Sequence, residues 1–439
     1  VEKFAYMPTE HVLSGQLPRL SDPNYKHRFF VDGTPVASDV YLGGSWKTYL
    51  VGTLGAGGRT VYALDITNPD SFSKSNIKWE FNAPGYVLGR PSVARMQDGS
   101  WGVIVAGGYE SGQTSKLFIL DISDGAVIKS FDLGGGTVGN GLSSPIPVDI
   151  NVDRVADYVF AGDLDGNLWK FDLTASTKGS WGVAFGGKPL FTACDGSDAG
   201  AYACPAGKRQ PITMRPQVGR GPYNQGMMVY FGTGSYAFSG DSAVASTDPK
   251  QSFYAIHDAN EASTVPVKRS QLTKQSITFE SAAFRTVSST DGATDAKGWY
   301  LDLVSPGSGG FKGERAVSDP LLRGGRLIFP TLIPNTDPCE GGGSSWVMEM
   351  DALSGKAIDP PVFDVDGDGD IDEDDLVNGD PPAGINPDIG IIDTPNVIDG
   401  ENTGDNEIKC VAGSTGRIEC LQERTGDYQG RQSWRQIWP

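Results

Sequence analysis

Glycines 52, 107 and 162 lie 55 residues apart, and each ends a short apolar run: Tyr49-Leu50-Val51-Gly52, Val103-Ile104-Val105-Ala106-Gly107 and Tyr158-Val159-Phe160-Ala161-Gly162. After a turn, each run is followed by a second one ending in aspartate: Val61-Tyr62-Ala63-Leu64-Asp65, Leu117-Phe118-Ile119-Leu120-Asp121 and Leu168-Trp169-Lys170-Phe171-Asp172. Three further copies are readable. Met228-Val229-Tyr230-Phe231-Gly232 goes with Phe253-Tyr254-Ala255-Ile256-His257-Asp258, and Arg326-Leu327-Ile328-Phe329 with Trp346-Val347-Met348-Glu349-Met350-Asp351. The last pairs Lys409-Cys410-Val411-Ala412-Gly413 with Arg417-Ile418-Glu419-Cys420-Leu421. A fixed period of this length is the mark of a repeat architecture, and four-stranded propeller blades are the all-β unit that fits it once loops are allowed for.

Six copies, together with N-terminal strands around Phe4-Ala5-Tyr6-Met7 and His27-Arg28-Phe29-Phe30-Val31, predict seven blades. Ser433-Trp434-Arg435-Gln436-Ile437-Trp438 would help close the ring beside them. The expectation is a single all-β propeller domain over residues 1–439 with long inserted loops near 178–215, 258–300 and 359–408. The spacing widens after residue 170, which keeps a pair of β-sandwiches or a β-solenoid open; insertions explain the widening more simply. The 59 glycines, 28 prolines and nine tryptophans agree with many short strands joined by turns.

The last insertion holds the most explicit chemistry. Asp364-Val365-Asp366-Gly367-Asp368-Gly369-Asp370-Ile371-Asp372-Glu373-Asp374-Asp375 places oxygen side chains at alternate positions, glycine at the sixth and an inward apolar residue at the eighth. That is the grammar of a calcium loop. The expected ligands are Asp364, Asp366, Asp368, the carbonyl of Asp370, Asp372 directly or through water, and Asp375 at position 12, where an EF-hand has glutamate. The alternative is a solvated acidic loop of Asx-turns.

A second stretch repeats the front half of that spacing. Asp149, Asn151, Asp153 and Asp157 stand at positions 1, 3, 5 and 9, with the Val155 carbonyl at 7. Position 6 is Arg154 in place of glycine and position 12 is Phe160, so calcium and a hydrogen-bonded Asx turn both remain open. The neighbouring Asp163-Leu164-Asp165-Gly166-Asn167 reads as a hairpin turn.

A net charge of −18 disfavours phosphate backbones and anionic lipid surfaces as partners. No apolar run approaches the roughly 20 residues that cross a bilayer. Val1-Glu2-Lys3-Phe4 has neither an initiator Met nor a signal-peptide pattern, and reads as the start of a mature product or excised piece. Cys194 and Cys204 bracket one loop, and Cys410 and Cys420 flank a hairpin centred on Ser414-Thr415-Gly416. Two such bridges imply an oxidising, extracytoplasmic location, with Cys339 left over. No CxxC spacing for zinc occurs.

Asn24-Tyr25-Lys26-His27-Arg28-Phe29-Phe30-Val31-Asp32-Gly33, the glycine-rich stretch 52–58 leading into Val61-Tyr62-Ala63-Leu64-Asp65, the run Gly162-Asp163-Leu164-Asp165-Gly166-Asn167-Leu168-Trp169 and Gly343-Ser344-Ser345-Trp346 together carry a family resemblance. The chain resembles the C-terminal domain of the PilY/PilC proteins of bacterial type IV pili over nearly its whole length. The resemblance implies a modified seven-bladed, quinoprotein-like β-propeller and a role in pilus assembly and surface adhesion. It also implies a calcium site at Asp149, Asn151, Asp153, Val155 and Asp157 whose occupancy shifts pilus extension against retraction. The implied partners are pilus components such as minor pilins or the pilus tip, and a host-cell surface. The implied location is the pilus tip, outer membrane or cell surface. Some members carry an Arg-Gly-Asp motif; here Arg424-Thr425-Gly426-Asp427 has an extra residue.

Two rival functions follow from the same residues. A quinoprotein dehydrogenase using pyrroloquinoline quinone and calcium would share the propeller, but the vicinal cysteine pair of many such enzymes is missing. A passive carbohydrate- or protein-binding propeller would use exposed aromatics. A hydrolase is disfavoured: only His11, His27 and His257 are available and there is no Gly-x-Ser-x-Gly elbow. The leading expectation is a non-enzymatic, calcium-responsive pilus factor.

Overall fold

The protein is described from a computed structural model covering residues 2–109, 114–134, 140–200, 203–293, 296–307, 310–337, 341–398 and 406–424. Cys339, residues 425–427 of the Arg424–Asp427 motif and the stretch 433–438 lie outside the described residues. Two compact units are present: residues 1–164 with 169–188, and residues 165–168 with 189–439.

All six strand pairs read from the repeat are hydrogen-bonded neighbours. In the first unit, Val36–Leu42, Ser45–Thr53, Thr60–Asp65 and Ile77–Asn82 form one sheet in chain order, and Ser92–Arg95, Trp101–Ala106, Lys116–Asp121 and Val127–Asp132 form the next. Such a consecutive antiparallel meander is the blade unit of a β-propeller. Thr60–Asp65, Trp101–Ala106 and Tyr158–Gly162 are buried at every residue. Covered on both faces, they are apolar without the alternation of a half-exposed strand.

The aspartates that end the repeated phrases close turns. Asp121 Oδ1 accepts from Ser123 N–H (2.8 Å) and Oγ (2.5 Å), and Asp172 Oδ1 from Thr174 N–H (2.9 Å) and Oγ1 (2.6 Å). Asp65 does the same with Thr67. The turns in turn receive tryptophans. Trp79, on the last strand of the first sheet, donates its indole N–H to Ile122 O (2.9 Å) beside the turn of the next sheet. Its ring lies where a Cβ on Gly125 would be, at 2.7 Å. Trp299, on Gly298–Asp302, repeats the arrangement with Ala352 O (3.0 Å) and Gly355. Gly125 and Gly355 take φ of 74° and 69°, so each supplies both the left-handed turn and the flat seat.

In the second unit the inserted segments differ from expectation. Residues 258–300, read as loop, contain Thr273–Gln275, Ile277–Glu280, Phe284–Val287 and most of Gly298–Asp302. Thr273–Gln275 joins the sheet of Met227–Gly232 and Ser252–Asp258, whereas Phe284–Val287 pairs with Gly384–Ile385 and extends the sheet of Arg326–Pro334 and Gly343–Asp351. These strands are short and carry few apolar residues, so they lack the signature of the double-buried strands. The described residues of 178–215 and 359–408 are mostly loop, with two- or three-residue strands and the start of Glu407–Ala412 among them.

The N-terminal stretches 4–7 and 27–31 are not strands. Aromatics there make side-chain contacts instead: Phe4 stacks face to face on Phe72 at 3.8 Å, Tyr6 lies against Tyr62, and the Phe30 and His11 rings meet edge to face, whereas His27 and Phe29 are exposed. The described residues therefore hold six sheets. Both expected disulfides are present, Cys194–Cys204 and Cys410–Cys420, the latter across directly opposed residues of one hairpin.

Buried charge ties the strands of the second unit together. Arg285 is fully buried, forms a fork with Glu314 (2.6 and 2.8 Å), donates Nε to Glu280 (2.7 Å), and lies 4.0 Å over the Trp346 ring. Lys409, Glu407 and Glu423 of the last sheet meet Arg326 and Glu349 of the preceding one in a second buried cluster. Burial pushes Lys409 below the usual lysine range against the pull of those carboxylates.

Trp299→Ala should cost about 3–5 kcal/mol in denaturant unfolding, the range for emptying a buried aromatic site. Glu314→Gln should cost about 1–3 kcal/mol, because it removes the charge of the fork partner while Glu280 still pairs with Arg285. Burial raises the Glu280 carboxyl, but Lys312, Arg285 and Ser305 outweigh this and hold it below the ordinary 4.5. Its contribution to stability is thus fully present above the unfolded value and lost as pH falls through the folded one. Glu280→Gln should flatten the acid limb of stability against pH in that window.

Candidate metal centre

The two acidic loops, read independently from spacing, use the same hydrogen-bond scheme. At position 1, the Asp149 carboxylate accepts from the N–H of Val152 (2.7 Å) and Arg154 (2.7 Å); Asp364 accepts from Gly367 (2.7 Å) and Gly369 (3.1 Å). At position 3, Asn151 accepts from Asp153 N–H (2.9 Å) and Asp366 from Asp368 N–H (3.1 Å). At position 5, Asp153 accepts from Val155 N–H (2.9 Å) and Asp368 from Asp370 N–H (2.8 Å). Each of these side chains is thereby fixed by main chain on one side.

The turns match as well. Positions 4 and 6 take the left-handed conformation in both loops: Gly367 and Gly369 at φ of 79° and 93°, Val152 and Arg154 at 67° and 70°. The arginine at position 6 of the first loop thus adopts the backbone that glycine normally supplies. For Val152, β-branched and more than half exposed, that conformation costs about 1–3 kcal/mol.

The closing acid is where the loops differ in sequence and agree in role. Asp375, at position 12, accepts from the N–H of Val365 (2.5 Å) and Asp372 (2.8 Å). Asp157, at position 9, accepts from Ile150 N–H (2.9 Å) on Oδ2 and from the Gln97 carboxamide (3.1 Å) on Oδ1. Both reach back to position 2 and both are buried, at 1% and 3% exposure. From position 9 Asp157 thus makes the hydrogen bond to position 2 that Asp375 makes from position 12. Asp372, position 9 of the second loop, instead caps the short turn Glu373–Asp375 by accepting from Asp374 N–H (2.9 Å).

Among the described residues, Asp364, Asp366 and Asp368 form the one acidic triad with an oxygen from each within 4.8 Å of the others. Ile371 packs inward, 8% exposed, as its position requires. Like charges make both loops receptive to a cation. Burial, then the charges of Asp153 and Asp149, raise the Asp157 carboxyl above the usual range, against the Ile150 N–H. At Asp366 the Asp368 N–H lowers the value, but slight desolvation and the charges of Asp368, Asp375 and Asp364 leave it raised. Hard oxygen donors at alternate positions of a tight turn fit calcium; Asp364, Asp366 and Asp368 already bring theirs together, whereas the carboxylates of the first loop would be drawn together by the ion. Asp149, Asn151, Asp153 and Asp157 with the Val155 carbonyl would hold one ion; Asp364, Asp366, Asp368 and Asp375 with the Asp370 carbonyl would hold another. Gln97, from a different sheet, was not legible in the local spacing.

The family model described as the PilY1 beta-propeller domain matches residues 2–287. The type IV pilus biogenesis factor PilY1 of Pseudomonas aeruginosa PAO1 is 35% identical over 99% of this chain and 40% of its own length. A PilY1 homolog from Xylella fastidiosa is 37% identical over 81% of this chain and 25% of that protein. The chain thus spans about two fifths or less of these relatives. The crystal structure of the Pseudomonas aeruginosa PilY1 C-terminal domain superposes with a TM-score of 0.78 at 30% identity, covering 96% of this chain and 88% of that one. On the family match and this shared all-β propeller architecture, the chain belongs to the PilY1 β-propeller family of type IV pilus biogenesis factors.

Proposed function

We propose that this chain is a calcium-binding type IV pilus assembly factor and surface adhesin in which calcium occupancy regulates pilus extension against retraction. The observation that carries the calcium part is the donor scheme shared by residues 149–157 and 364–375, two loops with different sequences and one arrangement of acids on main-chain N–H groups. The relatives' names as pilus biogenesis factors support the pilus part. Pilus components are the proposed partners, with a host-cell surface as a further one. Two disulfides support an extracytoplasmic position on the pilus or cell surface. No helix among the described residues is long and apolar enough to cross a membrane.

A bound Ca²⁺ would supply the charge that offsets the mutual repulsion of these carboxylates. The chain's part is to hold those carboxylates ready: Asp149 and Asp364 anchor the turns, and Asp157 and Asp375 close them from the buried side. Loop 149–157 joins Ile146–Val148 to Tyr158–Gly162, so its ordering bears directly on the pairing of two strands of one sheet. That is the local event a regulatory role requires.

Calorimetric titration should find two calcium equivalents, one lost in Asp157→Ala and the other in Asp368→Ala. At a hundredfold excess over the dissociation constant each site should stabilise its fold by about 2.7 kcal/mol. Asp157→Ala should also shift surface piliation and twitching in cells. Retention of both equivalents in both variants would refute the calcium reading, and unchanged piliation with calcium binding lost would refute the regulatory one.

A further inference from the structure

We propose that Gln97 is a positioning residue for the calcium loop 149–157, coupling occupancy of that loop to the contact between two neighbouring sheets; this rests on the calcium reading above. Gln97 lies in the turn between Ser92–Arg95 and Trp101–Ala106, whereas the loop lies between Ile146–Val148 and Tyr158–Gly162 of the next sheet. The turn is stiffened by Met96 N–H to Ser100 O (2.8 Å), Gly99 N–H to Met96 O (2.9 Å) and the Asp98 carboxylate on Ser100. From it the Gln97 carboxamide donates to Asp157 Oδ1 (3.1 Å), and one residue earlier Ala156 N–H donates to Arg95 O (2.9 Å).

The comparison with residues 364–375 isolates what is special here. Asp375 receives both of its donors from its own loop, Val365 and Asp372. Asp157 receives one from its own loop and one from the adjoining sheet. The second loop is self-contained; the first is completed only when two sheets are correctly apposed. The residue type also matters. A carboxamide orients the carboxylate while adding no charge, so it leaves Asp157 attractive to a cation, whereas lysine or arginine at this place would satisfy Asp157 and repel one. By linkage, whatever Gln97 adds to calcium affinity calcium returns as stability of the sheet contact.

Calcium titration of the full chain tests this, with loop 364–375 as internal control and thermal unfolding in chelator as the folding control. Gln97→Leu should weaken calcium binding at 149–157 by about tenfold, the lower end for outer hydrogen-bond partners of metal ligands, and leave 364–375 unchanged. Gln97→Lys should restore stability in chelator, since the hydrogen bond returns, yet bind calcium at 149–157 more weakly than wild type. A purely structural Gln97 would instead cost stability in Gln97→Leu and leave calcium affinity at 149–157 unchanged. Unchanged affinity in Gln97→Leu, equal weakening at both loops, or wild-type affinity in Gln97→Lys would overturn the proposal. If Asp157→Ala removes no calcium equivalent from the wild-type chain, the calcium reading itself has failed and this proposal falls with it.

Discussion

Trp79 and Trp299 each lay an indole against a glycine in the turn of the following sheet and donate their N–H to a carbonyl there. The contact answers the constraint on which the architecture depends. A sheet whose central strands are apolar on both faces must be covered on both, and its cover must fit the turns as well as the strands. The aspartates that fold each turn back, Asp65, Asp121 and Asp172, satisfy its N–H groups internally, which leaves a compact surface for the neighbouring sheet. Where the tryptophan is absent, the same place on the last strand of the second sheet is taken by Lys129, whose Nζ reaches Gly179 O at 3.4 Å. That polar contact replaces the aromatic seat and does not reproduce it, since no side chain among the described residues lies against Gly179 as Trp79 lies against Gly125.

The acidic loops obey a related rule. Main-chain N–H groups in a left-handed turn gather carboxylates, and the gathered charge then calls for a cation. Gly367 and Gly369 reach that geometry freely, whereas Val152 and Arg154 reach it at a conformational cost. A strained turn persists only where its surroundings over-determine it. For residues 149–157 those surroundings include Ala156 bonded to Arg95, Asp157 bonded through its main chain to Val148 and Leu173, and Gln97 on the carboxylate. The first loop is therefore held by the sheets around it, and the second mainly by its own glycines.

How much of this was legible in the sequence depended on how local the cause was. Pairs such as Tyr158–Gly162 with Asn167–Asp172 could be read because double burial writes itself as an uninterrupted apolar run, the last pair through its repeated phrase although Ile418–Glu423 is mostly exposed, and the acidic loops because their ligands come from consecutive alternate positions. The strands at 273–275, 277–280 and 284–287 escaped notice because polar residues such as Lys274, Thr278, Arg285 and Thr286 interrupt them, and their pairing is decided by distant partners at 299–301 and 384–385. The aromatics at 4–7 resembled a strand but serve as side-chain cover, with Phe4 and Tyr6 against the cluster of Leu54, Tyr62 and Leu64; at 27–31 His27 and Phe29 are exposed and pack on each other. That Asp157 makes the hydrogen bond Asp375 makes from position 12 depends on a back-contact to Ile150, and Gln97 comes from 60 residues upstream of its partner; neither is encoded in a spacing.

The free energies bound what calcium regulation by such loops can accomplish. One site at a hundredfold excess over its dissociation constant biases an equilibrium by about 2.7 kcal/mol, or roughly a hundredfold. Inverting a preference from 1:99 to 99:1 takes about 5.5 kcal/mol. Loops 149–157 and 364–375 belong to different compact units, so each acts first on its own. A single loop thus suits the control of two states that are already nearly balanced, tipping a ratio of about 1:10 to 10:1, and not the reversal of a strongly biased one. Under the proposed function, extension and retraction would have to be poised close to equality before calcium acts. The strain at Val152, of the same order as the calcium contribution, is the kind of term that keeps loop 149–157 within reach of that balance.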